Sequence, residues 1–362
     1  MRPLHIDRAG PADDAPIRAL LREATVPGEV ALSFQREPSY FAASAHLGHR
    51  SETFVARDGS ALAGVVSVAM QRLFVQGTVS EVAYLSQLRV APAYQGRALV
   101  RRGLRALRQR LEVQDVPGAY ATISLGNEVA ERVLCGRPGQ RQGRFEAITT
   151  IDTLTYAATP RARRPRDVRV GPASVRELGE VIAFSQRHGP RRQLYPQLVS
   201  ATFATRGGGL QPQDLLLARR SGQLVGLMAV WDQSAWRQTV VRAYGPRLRR
   251  LKWLLDASRL ARRARPLPPA GAALHVVCAS LLCVMDDDPS VTRALLAAGV
   301  RAAHGRGAHA LALAVAREDP LLAIVRRWRH VSYTSRLYAL ALADASFARR
   351  LEGVRFIDVG SL

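Results

Sequence analysis

The chain of 362 residues holds only three cysteines, Cys135, Cys278 and Cys283, too few for a disulfide framework. Cys278 and Cys283 stand in an apolar run with no second Cys or His pair at ligand spacing, so they read as small buried hydrophobes. The eight histidines are scattered and offer no His-x-x-x-His pair, so neither a structural nor a catalytic metal is expected. No apolar run approaches the roughly 20 residues that span a bilayer. The longest, around Ala272 to Met285, carries His275 and reads as a buried strand. The opening MRPLHIDRAGPADD lacks the apolar region of a secretory signal, and the expectation is a cytoplasmic protein. Lysine is almost missing, because Lys252 is the only one among 52 basic residues, set against 29 acidic ones. The resulting formal charge of +23 favours polyanions, anionic lipid head groups or acidic carrier proteins. Arginine clusters occur at 97–110, 161–166, 247–265 and 326–329 without an RNP-like aromatic motif, zinc-finger spacing or helix-turn-helix pattern, so nucleic acid is not the expected ligand.

What the chain does have is enough apolar content, 48%, for sizeable cores, and too much length for one typical domain. It also has an internal repeat. Residues 53–68 describe two strands around Asp58-Gly59, and residues 215–230 repeat the pattern with Ser221-Gly222 near the turn. The openings match as well: Gly10-Pro11-Ala12 and Gly171-Pro172-Ala173 each follow a short strand and precede a helix. Between the copies, residues 157–166 are dense in proline and arginine and read as a linker. Two domains are therefore expected, at 1–156 and 167–362.

The stretch from Val82 to Leu107 reads as an apolar strand ended by Pro92, a short loop, and an amphipathic helix bearing Leu99, Val100, Leu104 and Leu107. A strand feeding a loop that opens a helix leaves several backbone N–H groups unpaired at the positive end of the helix dipole. That arrangement suits a pyrophosphate.

With its Val-x-Pro turn and the residues Gln95, Gly96, Arg97, Ala98, Leu99 and Val100, this stretch resembles the acyl-CoA-binding motif of the GNAT acyltransferase superfamily. The family pattern is Arg/Gln-x-x-Gly-x-Gly/Ala; here Ala98 and Val100 replace its two small residues. The resemblance implies an α/β fold of mixed α+β type: two tandem GNAT-like domains, each a central mixed sheet flanked by helices. It implies acetyl-CoA or another acyl-CoA as co-substrate and a small-molecule or peptide amine as acceptor. Leu88, Arg89, Val90, Gln95, Gly96, Arg97, Ala98, Leu99, Val100 and Asn127 become the candidate cofactor-binding residues. A strand N–H near Leu88 or Val90 would polarise the thioester carbonyl. Ala119 to Leu125 would be the strand that splays from the central one, and Phe145 to Thr155 the closing strands. Asn127 and Ala130 match the next family motif, whereas Leu134 stands where many members carry a tyrosine acid. Glu81 and Tyr84 are the catalytic candidates. Strand alternation sets Glu81 and Gln87 on one face, and Tyr84 and Ser86 on the other.

The second copy departs further. Ala273 to Met285 would be its central strand, yet Asp286, Asp287 and Asp288 stand where a pyrophosphate would lie, and carboxylates there repel CoA. Before Pro289 they read as a helix cap, and the second domain as a degenerate copy. The basic, aromatic insertion from Trp231 to Pro269 reads as a packed helix or as a surface for a membrane or acidic partner. The chain thus reads as an N-acyltransferase. Its alternatives are a longer acyl donor, including an acyl carrier protein, and a non-catalytic GNAT-fold binding module.

Overall fold

The computed structural model describes residues 5–26, 28–95, 99–135, 145–160, 162, 167–203, 209–246 and 265–361. The basic stretch at 247–264 and the loop residues Gly96, Arg97 and Ala98 lie outside them.

The first half opens with β1 (His5–Arg8), α1 (Asp14–Glu23), β2 (Val30–Gln35) and α2 (Tyr40–Ser44). Amphipathic α1 buries Ile17 and Leu21 beside Tyr40, Val55 and Val65. Next come β3 (Arg50–Asp58), β4 (Ala61–Val75) and β5 (Thr78–Val90), then α3 (Leu99–Val113), β6 (Gly118–Ser124), α4 (Glu128–Cys135) and β7 (Phe145–Ala157). The β3–β4 turn closes on Gly59 and Ser60, with Gly59 at φ 62°, where a side chain would be strained. Strand β5 ends at Val90, two residues before Pro92.

The second half repeats the order: β8 (Arg169–Pro172), α5 (Leu178–His188), β9 (Leu215–Arg220), β10 (Gln223–Trp231) and, within the insertion, β11 (Gln238–Tyr244). Then follow β12 (Val276–Val284), α6 (Pro289–Gly305), β13 (Ala310–Ala316), α7 (Leu321–Val325), β14 (Val331–Ala341) and α8 (Phe347–Arg350). Ser221 and Gly222 both have positive φ, as a two-residue hairpin of type I′ requires.

Twelve strands form one sheet in the order β1-β3-β4-β5-β6-β14-β7-β13-β12-β10-β9-β8. The order is symmetric about its centre, because each half has exchanged its last strand. β14 pairs antiparallel with β6, from Ser335↔Ser124 to Ala341↔Gly118, and also with β7. β7 in turn pairs antiparallel with β13, from Ala310↔Ala157 to Ala316↔Ile151. Where the sequence suggested closing strands after α4, there is one 13-residue strand, and its companion arrives from the far end of the chain. A strand flanked on both sides leaves no open edge at the join.

Two clips tie the halves outside this sheet. β2 pairs with β11, from Val30↔Tyr244 to Gln35↔Gln238. Reciprocally, the tip of β4 meets the segment after α5, with Phe74 N donating to Tyr195 O at 2.8 Å and Leu194 N to Phe74 O at 2.7 Å. The core runs through both halves: Tyr84, Tyr120, Ile151 and Leu154 belong to the same buried cluster as Leu227, Val277, Leu295 and Leu313. Among the described residues, no helix is long and apolar enough to cross a membrane.

Candidate active site

Strands β4 and β5 form a long hairpin whose register slips once. Val65 faces Arg89 but Ser67 faces Ser86, so β5 carries an extra residue, a β-bulge at Gln87–Leu88. Gln87 adopts φ 53°, a left-handed conformation that a non-glycine residue holds only under constraint. A bulge leaves its extra backbone group unpaired, and here that group lies immediately before Leu88. The partner strand accommodates the slip at Gly64, where a Cβ would sit 2.9 Å from Arg89 O.

β5 and β6 are parallel neighbours for only two pairs, Ala83↔Ala119 and Tyr84↔Tyr120, and then separate into a fork. Ser86 to Val90 form one arm. Leu99, at the start of α3, packs with Ala56 and Ala63 beside Val90 at the mouth.

The two faces of this region differ. On one, Leu107 and Leu111 of α3 bury against Val68, Met70, Ala83 and Leu85. On the other, the Tyr84 and Tyr120 rings stack at 4.9 Å between centroids. Tyr120 Oη donates to Gln71 Oε1 at 2.6 Å, and Gln71 Nε2 donates to Leu47 O at 2.6 Å. The Tyr40 hydroxyl meets Ser67 Oγ at 2.6 Å, and Ser67 Oγ meets Thr53 Oγ1 at 2.7 Å. Ser86 Oγ, next to the bulge, is buried without a hydrogen-bond partner, an exception to the rule for buried polar groups. Burial raises the Tyr84 phenol, so it stays protonated at neutral pH and can donate.

Three guanidinium groups also reach this face. Arg36 follows β2 and is 2% exposed; its side chain donates to Gln35 O at 3.4 Å. Arg237 precedes β11 and donates to Gln233 Oε1 at 3.0 Å and Val359 O at 3.1 Å. Arg89 donates to Leu88 O at 2.8 Å. Among the described residues, none of the three forms an ion pair with a carboxylate. Burial draws Arg36 down to about 9, with the like charges of Arg237 and Arg89 adding to the effect. One carboxylate belongs to the neighbourhood: Asp358 is raised by burial, and Arg237 works against the rise.

Of the residues singled out from sequence, Leu88, Arg89, Val90 and Leu99 converge at the fork, and Val100 follows on α3. Gln95 is exposed, its amide donating to Pro92 O at 3.3 Å. Asn127 Oδ1 accepts from Ala130 N at 3.1 Å, as a cap does for α4. Glu81 and Tyr84 do not meet. Glu81 lies six residues before the bulge, on the α3 face, 3.4 Å from His49 Nε2 and 3.6 Å from Arg50. Tyr40, Tyr120, Arg36, Arg237 and Asp358 went unread. Nothing local marks an arginine at 36 or 237 among so many others.

The second half contains the equivalent fork, but closed. β12 and β13 are parallel neighbours from Val276↔Ala310 to Cys278↔Ala312, and β12 bulges at Leu281, with φ 57°. Residues 354–361 fill the gap. Phe356 and Ile357 line it together with Leu282, Ala314 and Val315. Phe356 N donates to Gln193 O at 2.8 Å, and Gln233 Nε2 to Gly360 O at 2.6 Å. Burial pushes the Cys278 thiol up to about 11 and Cys283 up to about 12, so both pack as neutral groups. The acidic run is spent on structure. Asp288 accepts from Ser290 N at 2.7 Å and caps α6, while Asp287 pairs with Arg192 at 2.7 Å.

Residues 17–136 match the acetyltransferase (GNAT) family profile, so a GNAT domain occupies this part of the chain. The chain as a whole shares its fold with acyltransferases of known structure. Saccharomyces cerevisiae N-myristoyltransferase with bound myristoyl-CoA superposes with TM-score 0.62 at 10% identity, over 93% of this chain and 82% of that one. A GCN5-related N-acetyltransferase from Anabaena variabilis gives 0.53 at 10% identity, over 93% and 72%. A GCN5-related glucosamine N-acetyltransferase region of a fungal multi-domain β-N-acetylglucosaminidase gives 0.60 at 15%, over 93% and 38%. No curated protein matches the sequence. One of these structures holds myristoyl-CoA and another is a glucosamine N-acetyltransferase region, so the shared fold fixes neither donor nor acceptor.

Proposed function

We propose that the protein is an N-acyltransferase that moves an acyl group from an acyl-CoA, with acetyl-CoA as the first donor to test, to an amine. The observation that carries this reading is the fork where β5 parts from β6, with its bulge at Gln87–Leu88 between Tyr84 and the start of α3 at Leu99. In it, residues 1–156 hold the donor and residues 167–362 are the degenerate copy.

The backbone amide at the bulge donates to the thioester carbonyl oxygen and stabilises the oxyanion that forms when the amine attacks. A bulge supplies this donor whatever side chains surround it. In this reading Tyr84, held protonated, gives a proton to the departing thiolate. Asp358, raised by burial, takes the proton the amine loses, since a carboxylate closer to neutrality is a better base. In this reading Glu81, 3.4 Å from His49 Nε2 and paired with Arg50 at 3.6 Å, takes no part in the proton transfers. The net charge of +23 also suits an acidic acyl carrier protein as donor.

Calorimetry with acetyl-CoA on the full chain, beside Gly96→Asp, tests the reading. Saturable binding that the variant loses is the expected result. Folded protein that binds neither acetyl-CoA, longer acyl-CoAs nor an acylated carrier protein would overturn it.

A further inference from the structure

The β2–β11 clip has an unusual end. Its antiparallel register finishes at Gln35↔Gln238, and Arg36 and Arg237 flank that last pair at the same end of the clip. Like charges brought together repel, and a buried charge is costly without a counter-charge. The pair is nonetheless firmly built. Gln238 Oε1 accepts from Glu37 N at 2.9 Å, and Gln238 Nε2 donates to Glu37 O at 3.0 Å, locking the backbone beside both arginines. Arg89 joins them from β5, opposite Val65 beside the bulge and bonded to Leu88 O; Arg36 precedes α2, whose Tyr40 hydroxyl meets Ser67 opposite Ser86, and Arg237 bonds Val359 O next to Asp358. Asp358 supplies at most one negative charge against three positive ones. Ser86 Oγ adds a buried hydroxyl without a partner on the same face.

We propose that Arg36, Arg237 and Arg89 form the seat for an oxyanion carried by the acceptor, so that the substrate is an amine bearing a carboxylate or a phosphate. This inference rests on the acyl-transfer reading. Guanidinium groups suit such oxyanions because their planar donors engage two oxygens at once. The seat belongs to the acceptor because the three groups gather on the tyrosine face, across the sheet from α3, where the first half meets the insertion of the second. A bound oxyanion would remove the repulsion that the empty pair carries. Anchoring the acceptor at its anionic end turns its amine toward the bulge.

The test uses the full chain and reads release of free CoA thiol from acetyl-CoA. Each common amino acid is offered beside its C-terminal amide, and phosphoethanolamine beside ethanolamine. The anionic member of at least one pair is expected to turn over about a hundredfold faster or more. The responsive pair tells carboxylate from phosphate. Arg36→Met and Arg237→Met are expected to lose that preference while binding acetyl-CoA as the parent does. Arg36→Met is also expected to raise Tm, because an uncompensated buried charge has been removed; a structural arginine would give the opposite sign. Equal turnover of charged and uncharged partners overturns the inference, as does binding of acetyl-CoA with no turnover in the panel. Weakened binding of succinyl-CoA but not acetyl-CoA in Arg36→Met assigns the seat to the donor and also overturns it. Failure to bind any acyl donor removes the acyl-transfer reading itself, and this inference with it.

Discussion

The forks of the two halves share a strand pair that parts early and a bulge held at positive φ, Gln87 in one and Leu281 in the other. They differ in what enters. The first has buried polar groups and arginines around it, whereas the second is packed with Phe356, Ile357 and Val359 from the same chain. The carboxylates after the second bulge are turned to capping and ion pairing. A scaffold that creates an opening by its own geometry must therefore either offer it to a ligand or fill it. Keeping the bulge in a half whose fork is closed shows that the bulge is a property of the sheet first and of the chemistry second.

Several measurements sharpen this contrast. The largest effect should come from separating the halves. Residues 1–156 alone leave β6 without β14, and the fragment is expected to be insoluble or to show no cooperative unfolding, as a thermal melt followed by circular dichroism would reveal. Arg192→Met should come next. Its guanidinium bonds Asp319 at 2.8 and 2.9 Å and Asp287 at 2.7 Å, and removing it strands the buried Asp319 carboxylate at a cost of about 3–5 kcal/mol in denaturant unfolding. A matched pair of tyrosine variants tests whether only one fork works. Tyr84→Phe should lower kcat by about 10²-fold with donor affinity unchanged. Tyr195→Phe, which breaks a 3.0 Å bond to Leu281 O at the closed bulge, should cost about 1 kcal/mol of stability and leave kcat alone.

The smallest effect concerns pH. His275 Nε2 lies 2.9 Å from Asp232, whose hydrogen bond raises the imidazole. A raised folded pKa stabilises fully below the unfolded value of about 6.5. That stability is lost as pH climbs through the higher folded value. His275→Gln should flatten stability against pH in that range, and an unchanged slope would discount the pair.

Much of the frame was legible from the sequence. Asp58-Gly59 and Ser221-Gly222 marked the hairpins because turns with positive φ select such residues. Pro92 marked the end of β5, and of the apolar residues read at helical spacing, Leu99 and Leu107 are buried on α3. The bulges were not legible, since neither Gln87 nor Leu281 is a residue type that advertises a left-handed backbone; pairing with β4 and with β10 imposes it on them. The strand exchange was hidden for another reason. β7 and β14 alternate like ordinary strands, and local pattern carries no information about which distant partner completes a sheet. The arginine seat depends on a strand pair joining residues about two hundred apart, so neither Arg36 nor Arg237 stands out until β2 and β11 are side by side.

The placement of β14 also sets a timetable. The hydroxyls of Ser124 and Tyr333, on β6 and β14, touch across 209 residues of chain. At roughly 5–20 residues per second, a ribosome needs on the order of 10–40 s between making one and making the other. Throughout that interval β6 exists with a bare edge, and the first half has the elements of its site but not the sheet that holds them. A newborn chain of this protein is thus a client for whatever guards unpaired strands in its cell, and its first fork becomes rigid only after β14 has been made.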